Sequence, residues 1–343
     1  MTKLRRNKPV VSMKDVARIA GVSTSTVSHV INGTRFVSDE TKDNILRVIE
    51  QVNYRPNFLA QGLKRQTSKT IGLIISDLRD AFFYRFVNTL GRTLHVDEYD
   101  ILVCNSEGSV DKEVRHIDML LRRGIDGLVY APVDYRSQHD QLMRGSVPFV
   151  QIERKNANYA ADYIGIDDER EAGRVTQFLN DAGCRRIAFF MDGRPNYLGQ
   201  RLRGYEQMAR ELGIYDHRLV KKSGVESDGD CGEVVDWLAS ISPIDAIICT
   251  NLERCQFLLQ ILTEFESRSD FNRPHVFSFD DAPWFRLIPW PISALDQPIE
   301  QLAATTVQTL LERMRGDDSP TKDLRLQCDL IDRLTPAGRT MAQ

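Results

Sequence analysis

Several things this chain lacks narrow its function before any motif is read. Its six cysteines (Cys104, Cys184, Cys231, Cys249, Cys255 and Cys328) are scattered, with no CxxC pair among them. That is neither a zinc-ligand spacing nor a disulfide framework, so reduced thiols in a cytoplasmic protein are expected. No stretch reaches the roughly 18 uncharged apolar residues that a membrane helix requires. The opening MTKLRRNKPVV is basic without an apolar run behind it, so it does not read as an export signal. After the first strand-like run stands Asp77-Leu78-Arg79-Asp80 rather than a glycine-rich turn, which weakens a nucleotide-binding reading. No carboxylate or histidine group has a nucleophile or metal-ligand partner at recognisable spacing. His116 with Asp118 reads as helix surface and Asp167-Asp168-Glu169 as a helix start. No enzyme activity, metal or cofactor is expected.

The 343 residues are 42% hydrophobic and 27% charged, the composition of a soluble globular protein with two or three domains. The net charge of −3 would argue against a nucleic-acid partner, but it is unevenly spread. Residues 1–69 hold 13 Lys/Arg against 5 Asp/Glu, a balance of +8 that leaves −11 for the rest. A basic head on an acidic body suits phosphate binding by the head alone.

The head is organised around MKDVARIAGVSTSTVSHVINGTRFV, Met13 to Val37. Ser12 and Asp15 form a capping-box-like helix start, and Val16, Ala17 and Ala20 an apolar seam. Gly21 supplies a turn and Ser23 caps a second helix, with Val27, Val30 and Ile31 facing inward. Thr24, Ser25, Thr26, Ser28 and His29 remain outward, small hydrogen-bonding side chains without ion-pair partners. Such a face suits contact with base edges. Residues 38–53 read as a third helix capped by Ser38, with Ile45, Val48, Ile49 and Val52 as its buried stripe. NFLAQGLKR follows, too short to hold helical form alone in water and therefore expected to fold on DNA.

From Thr70 onward, strand-like runs (TIGLIIS, YDILVCNS, GIDGLVYAP, VPFVQIE, YIGID, RIAFFMDG, AIICTN, PHVFSFD) alternate with helical stretches such as 82–96 and 111–123. Alternation over about 265 residues predicts two lobes built on doubly wound parallel sheets.

KDVARIAGVSTSTVSHVINGTRFVS, YRPNFLAQGLK and TIGLII resemble the LacI/GalR family of bacterial transcription regulators, and within it the heads of the purine and ribose repressors. The resemblance is dense to about residue 75 and continuous to about 335. It implies a helix-turn-helix DNA-binding domain over 1–55, a hinge helix and linker over 56–69, and a periplasmic-binding-protein-like body over 70–335, then a tail over 336–343. The first lobe would take about 70–165 and 297–327, and the second about 166–296 and 328–335. A homodimer would bind a pseudo-palindromic double-stranded operator, with Thr24, Ser25, Thr26 and His29 at base edges. Lys14, Ser23, Arg35 and Arg55 would hold phosphates. Leu63, with Ala60 and Lys64, would open the minor groove at a central CpG step.

In the body, the resemblance assigns a small-molecule effector to Arg201 (in RLRGY), Asp280 (closing VFSFD) and Gln297 (in LDQP). Asn251 keeps a polar position, although the family's adjacent aspartate is here Leu252. Glu226 stands where many relatives place a stacking aromatic. Phe82 and Phe83 could close over a ligand or pack as core, and Asp167 could face the ligand or cap a helix. Arg201 with Arg194 or Arg203 could take a phosphate. These departures resemble the sugar and sugar-phosphate branches; a purine or nucleoside effector is the alternative, and a solute-binding protein without a regulatory role the alternative of another class. TPAGRTMAQ lacks a leucine heptad, which favours a dimer over a tetramer.

Overall fold

The computed structural model describes residues 11–54, 67–134, 139, 142, 145, 147–193, 199–223, 229–265 and 273–334. The chain divides into two compact units, one ending at Ser68 and one beginning at Lys69.

The first unit contains helices α1 (Met13–Ala20), α2 (Thr24–Asn32) and α3 (Asp39–Gln51). Ser12 and Asp15 complete a capping box at α1. Gly21 and Gly33 end α1 and α2 in the left-handed conformation, at φ 69° and 62°, where a side chain would be strained. Val16, Ala17, Ala20, Val27, Ile45 and Val48 are buried together. Val30, Ile31, Ile49 and Val52 are only partly buried against them, because a three-helix core this small cannot enclose every apolar position. Ser38 precedes α3 but makes no side-chain cap. Its hydroxyl is spent on Thr41 Oγ1 at 2.9 Å, which corrects the expected capping role.

The second unit is built on two six-stranded sheets. The first comprises β1 (Thr70–Ile75), β2 (Asp100–Asn105), β3 (Gly127–Tyr130), β4 (Phe149–Ile152), β5 (Asp162–Ile166) and β11 (Asp323–Leu326), in the order β11-β5-β4-β3-β1-β2 and wholly parallel. The second comprises β6 (Ile187–Asp192), β7 (Val220–Ser223), β8 (Ala246–Cys249), β9 (His275–Phe279), β10 (Ile292–Asp296) and β12 (Asp329–Ile331). Its order is β12-β10-β9-β8-β6-β7, and only β12 runs antiparallel.

Helices cover both faces of each sheet, which is why the central strands read as unbroken apolar runs. Helices α4 (Ala81–Val96) and α10 (Ile299–Met314) close one face of the first sheet over Ile71, Leu73, Phe86 and Leu310. Helix α5 (Val110–Arg122) closes the other over Ile74, Ile117, Leu120 and Tyr130. On the second sheet, α6 (Asp168–Asp181) and α7 (Gly199–Glu211) lie opposite α8 (Gly229–Ile241) and α9 (Leu252–Phe265). The chain passes between the sheets three times, after β5, after β10 and after β11. Within the first sheet's layer, Arg313 of α10 ties that helix to the start of β5 by a bidentate ion pair to Asp162, at 2.7 and 2.9 Å. No helix among the described residues is long and apolar enough to cross a membrane.

Strands β7, β10, β11 and β12 were not among the sequence-predicted runs. VKKS, DLRL and DLI are partly exposed edge strands, where a wet face dilutes the apolar signal; β10 is buried but contains Ser293 and Ala294.

Helices α6 and α7 meet at Gly204, where a β-carbon would collide with the carbonyl oxygen of Glu169. Gly204→Ala is therefore expected to destabilise the chain by about 1–3 kcal/mol, measured as a lowered urea midpoint; an unchanged midpoint would show that the helices separate without cost.

Candidate functional sites in the head and the body

The head presents the N-terminal half of α2. The Ser23 hydroxyl accepts from the Thr26 amide at 3.1 Å and lies 2.7 Å from Ser25 Oγ and 2.8 Å from Thr26 Oγ1. These contacts set the first turn so that Thr24 and Ser25 stand exposed while Val27 is wholly buried. Thr26 and His29 are half-buried, and His29 Nδ1 is 2.8 Å from Thr34 Oγ1. That contact orients the ring and leaves Nε2 for another partner. Asn32 Nδ2 donates to the Ser28 carbonyl at 2.8 Å, fixing the far end of the helix. Lys14, Ser23 and Arg35 are exposed. Arg55, Ala60, Leu63 and Lys64 lie outside the described residues, so the hinge expectation has no structural account.

In the body, the carboxyl ends of β4, β8, β9 and β10 bring charged side chains together. Arg201, near the start of α7, is 5% exposed. Its Nε donates to Asp168 Oδ1 at 2.6 Å, its Nη1 donates to the Thr250 carbonyl, and its guanidinium lies 4.3 Å from the Phe279 ring centre. Gly204 permits this, since the close approach of α7 to α6 carries Arg201 to Asp168. Asp280 is 4% exposed and accepts from Gln297 Nε2 at 2.9 Å. Burial pushes its carboxyl up to about 7, because the Arg201 charge, the Gln297 hydrogen bond and the Arg85 charge offset only part of the lost hydration. Thr250 is fully buried, and its Oγ1 has no hydrogen-bond partner.

One residue of this cluster escaped sequence reading. Glu153 directly follows β4 of the first sheet, and its carboxyl is likewise raised by burial, with Arg154 and Arg201 opposing and Asp80 and Asp168 reinforcing the shift. Glu153 and Asp280 both hold left-handed backbone, at φ 58° and 69°, a conformation that costs a non-glycine residue energy and clusters at ligand sites. An acidic residue at the end of an apolar run was the available signal.

Other expected members do other work. Phe82 and Phe83 are 3% and 0% exposed in the first sheet's core, so packing takes the ring of Phe83 away from any ligand. Asn251 Oδ1 accepts from the Arg254 amide at 2.8 Å, which makes it the cap of α9. Asp167 caps α6 through the Arg170 amide. With Arg203 and Arg325 it lines a groove of about 560 Å³ between α6 and α7, away from Arg201 and Asp280. Arg203 pairs with Glu169 at 3.1 Å. Arg194 and Glu226 lie outside the described residues. No group of three or more His, Cys, Asp or Glu among the described residues could hold a metal, and all six cysteines are unpaired.

A helix-turn-helix head on a two-lobed body with polar side chains gathered at its strand ends defines a DNA-binding regulator with a solute-binding-type body. Comparisons with known proteins agree. Residues 12–57 match the profile of bacterial regulatory proteins of the lacI family, and residues 176–335 that of the periplasmic binding protein-like domain. The ribose operon repressor of Haemophilus influenzae is 29% identical over 93% of this chain and 96% of its own length. The transcriptional repressor PurR of Vibrio atlanticus is 27% identical over 95% and 98%. Among solved structures, a lac repressor dimer bound to operator and an anti-inducer superposes with a TM-score of 0.79 at 21% identity, over 94% of this chain and 98% of that one. The regulator CelR in complex with cellobiose gives 0.67 at 24% identity, over 94% and 99%. The chain carries a lacI-family DNA-binding domain and a periplasmic-binding-like body, the make-up of a DNA-binding transcription regulator.

The buried carboxyl of Asp280 has a consequence for stability. Between about pH 4 and pH 7 the native state holds a proton that the unfolded chain has released, so stability falls as pH rises through that window and levels off above it. Each unit of displacement is about 1.4 kcal/mol. Thermal scans of the ligand-free chain are expected to show this fall, and Asp280→Asn to flatten it. Identical pH profiles would mean that Asp280 is ionised in the native state like an ordinary surface carboxylate.

Proposed function

We propose that this protein is a cytoplasmic homodimeric repressor whose grip on a pseudo-palindromic operator is set by a small molecule bound between its lobes. The observation that carries this reading is the exposed, ion-pair-free hydroxyl face at the start of α2, on a basic head joined to a body with buried charges at its strand ends. Two heads would occupy successive major grooves, reading half-sites with Thr24, Ser25, Thr26 and His29. Lys14, Ser23, Arg35 and Arg55 would hold phosphates, which position without reading sequence. Ala60, Leu63 and Lys64 would enter the minor groove at a central CpG step.

The effector site would be formed by Arg201, Asp280, Gln297 and Glu153, with Asn251 and Asp167 supporting it through their helix caps; Glu226, outside the described residues, remains an expected member from the resemblance alone. Arginine offers a fixed donor fork and the carboxylates accept, which suits the vicinal hydroxyls of a sugar or sugar phosphate. The ribose repressor and cellobiose-bound regulator among the similar proteins support a sugar; the PurR relatives favour a purine as the second reading. A ligand acts here only through a difference in affinity between two lobe settings, and near-complete release requires roughly 5.5 kcal/mol of it.

Selection of bound duplexes from a random pool tests the DNA half of the proposal. A defined pseudo-palindrome is expected, and recovery of no preferred sequence would refute it. Thr24→Ala and His29→Ala should each relax preference at one or two positions by about 1–3 kcal/mol; an unchanged selected sequence would remove them from the readout. Arg201→Ala should retain operator binding and lose the thermal shift that the wild-type chain shows with the best member of a sugar, sugar-phosphate and nucleobase panel. A retained shift would place the ligand elsewhere.

A further inference from the structure

The Asp280 cluster does not end at the second sheet. Gln297, which donates to Asp280, directly follows Asp296, the last residue of β10. Asp296 in turn receives Arg85 of α4 in a two-pronged ion pair, Nη1 at 2.6 Å and Nη2 at 3.3 Å. Both side chains are only about a third exposed, at 30% and 27%. Burial works against the Arg85 charge, but Asp296 more than restores it, with further attraction from Asp280 and Glu300. The field is mutual, for Arg85 also counts among the groups that favour ionised Asp280. This bridge therefore joins a helix packed on the first sheet to a strand of the second. It does so at the two-residue passage Gln297-Pro298, beyond which α10 returns to pack beside α4.

We infer that Arg85 is a positioning residue for the effector response: its ion pair with Asp296 transmits the state of Asp280 to helix α4. The physical reason is short-range. A ligand group that neutralises or replaces the Asp280 charge changes what holds Gln297 and what attracts Arg85 at once. Arg85 is rooted in the second turn of α4, so a weaker hold on its guanidinium loosens one tie on that turn. Charge pairs in one network are non-additive, enough to bias a lobe setting though not to define it alone. The inference rests on the proposed effector cleft.

The test needs no identified effector, because Asp280→Asn supplies the neutral state. Hydrogen exchange is followed in the full chain at about pH 8, above the value of about 7 at which Asp280 gives up its proton, for wild type, Asp280→Asn, Arg85→Gln and the double variant. In the wild-type background, Asp280→Asn removes one attraction on Arg85, and amides in the first two turns of α4 are expected to exchange about threefold faster, the lower end of network couplings. In the Arg85→Gln background the same substitution is expected to add nothing, and Asp296→Asn should abolish the response in the same way. Exchange in α5, on the opposite face of the same sheet, should stay constant and so exclude general loosening. Equal acceleration of α4 with and without Arg85, no acceleration in either, or a response that survives Asp296→Asn would overturn the inference. If instead Arg201→Ala keeps its ligand-induced thermal shift, the cleft reading fails while the exchange result stands.

Discussion

The body depends on a small set of charges that its own fold forces out of water. Parallel sheets covered on both faces gather their charged groups at strand ends, and the carboxyl ends of β4, β8, β9 and β10 bring theirs to one place. Arg201 is held there by Asp168, the Thr250 carbonyl and the Phe279 ring. Asp280 has one side-chain donor, Gln297, and too little positive charge nearby to stay ionised at low cost. A carboxyl kept in that condition is poised to gain from any ligand that brings donors to it, which is how a structural cost becomes a binding preference.

The head follows a different economy. Its core is seven side chains and their partly buried neighbours, so its shape depends on caps and turns as much as on packing. Ser12, Gly21, Ser23 and Gly33 each satisfy or release a helix end, and together they leave the start of α2, with Thr24 and Ser25, as an exposed face. The charge division of the chain matches this arrangement, with positive charge concentrated in the unit that carries that face.

Much of the geometry of the candidate sites was legible in the sequence, for identifiable reasons. The caps of α1 and α2 are local, each formed within three or four residues, and so were the outward row Thr24 to His29 and the central strands. Arg201 and Asp280 were legible through family resemblance, and their meeting in one cluster follows from topology. Glu153 was missed because its one local mark, a carboxylate closing the apolar run VPFVQIE, is shared by many loop carboxylates. Phe83, Asn251 and Asp167 illustrate the opposite case: each stands where a ligand residue belongs in sequence, yet a core, a helix end and another helix end claim its side chain.

By itself the sequence determined the alternation of elements, the basic head, the capped helical hairpin and the two-lobed class, since these depend on periodicity, turn chemistry and charge within short windows. Only the tertiary structure decided which polar residues share a site, that Gly204 sets the reach of Arg201, and that Arg85 spans the two lobes to Asp296. Those facts join residues up to 211 positions apart, and no local pattern encodes a distance that exists only after two sheets have closed on one another.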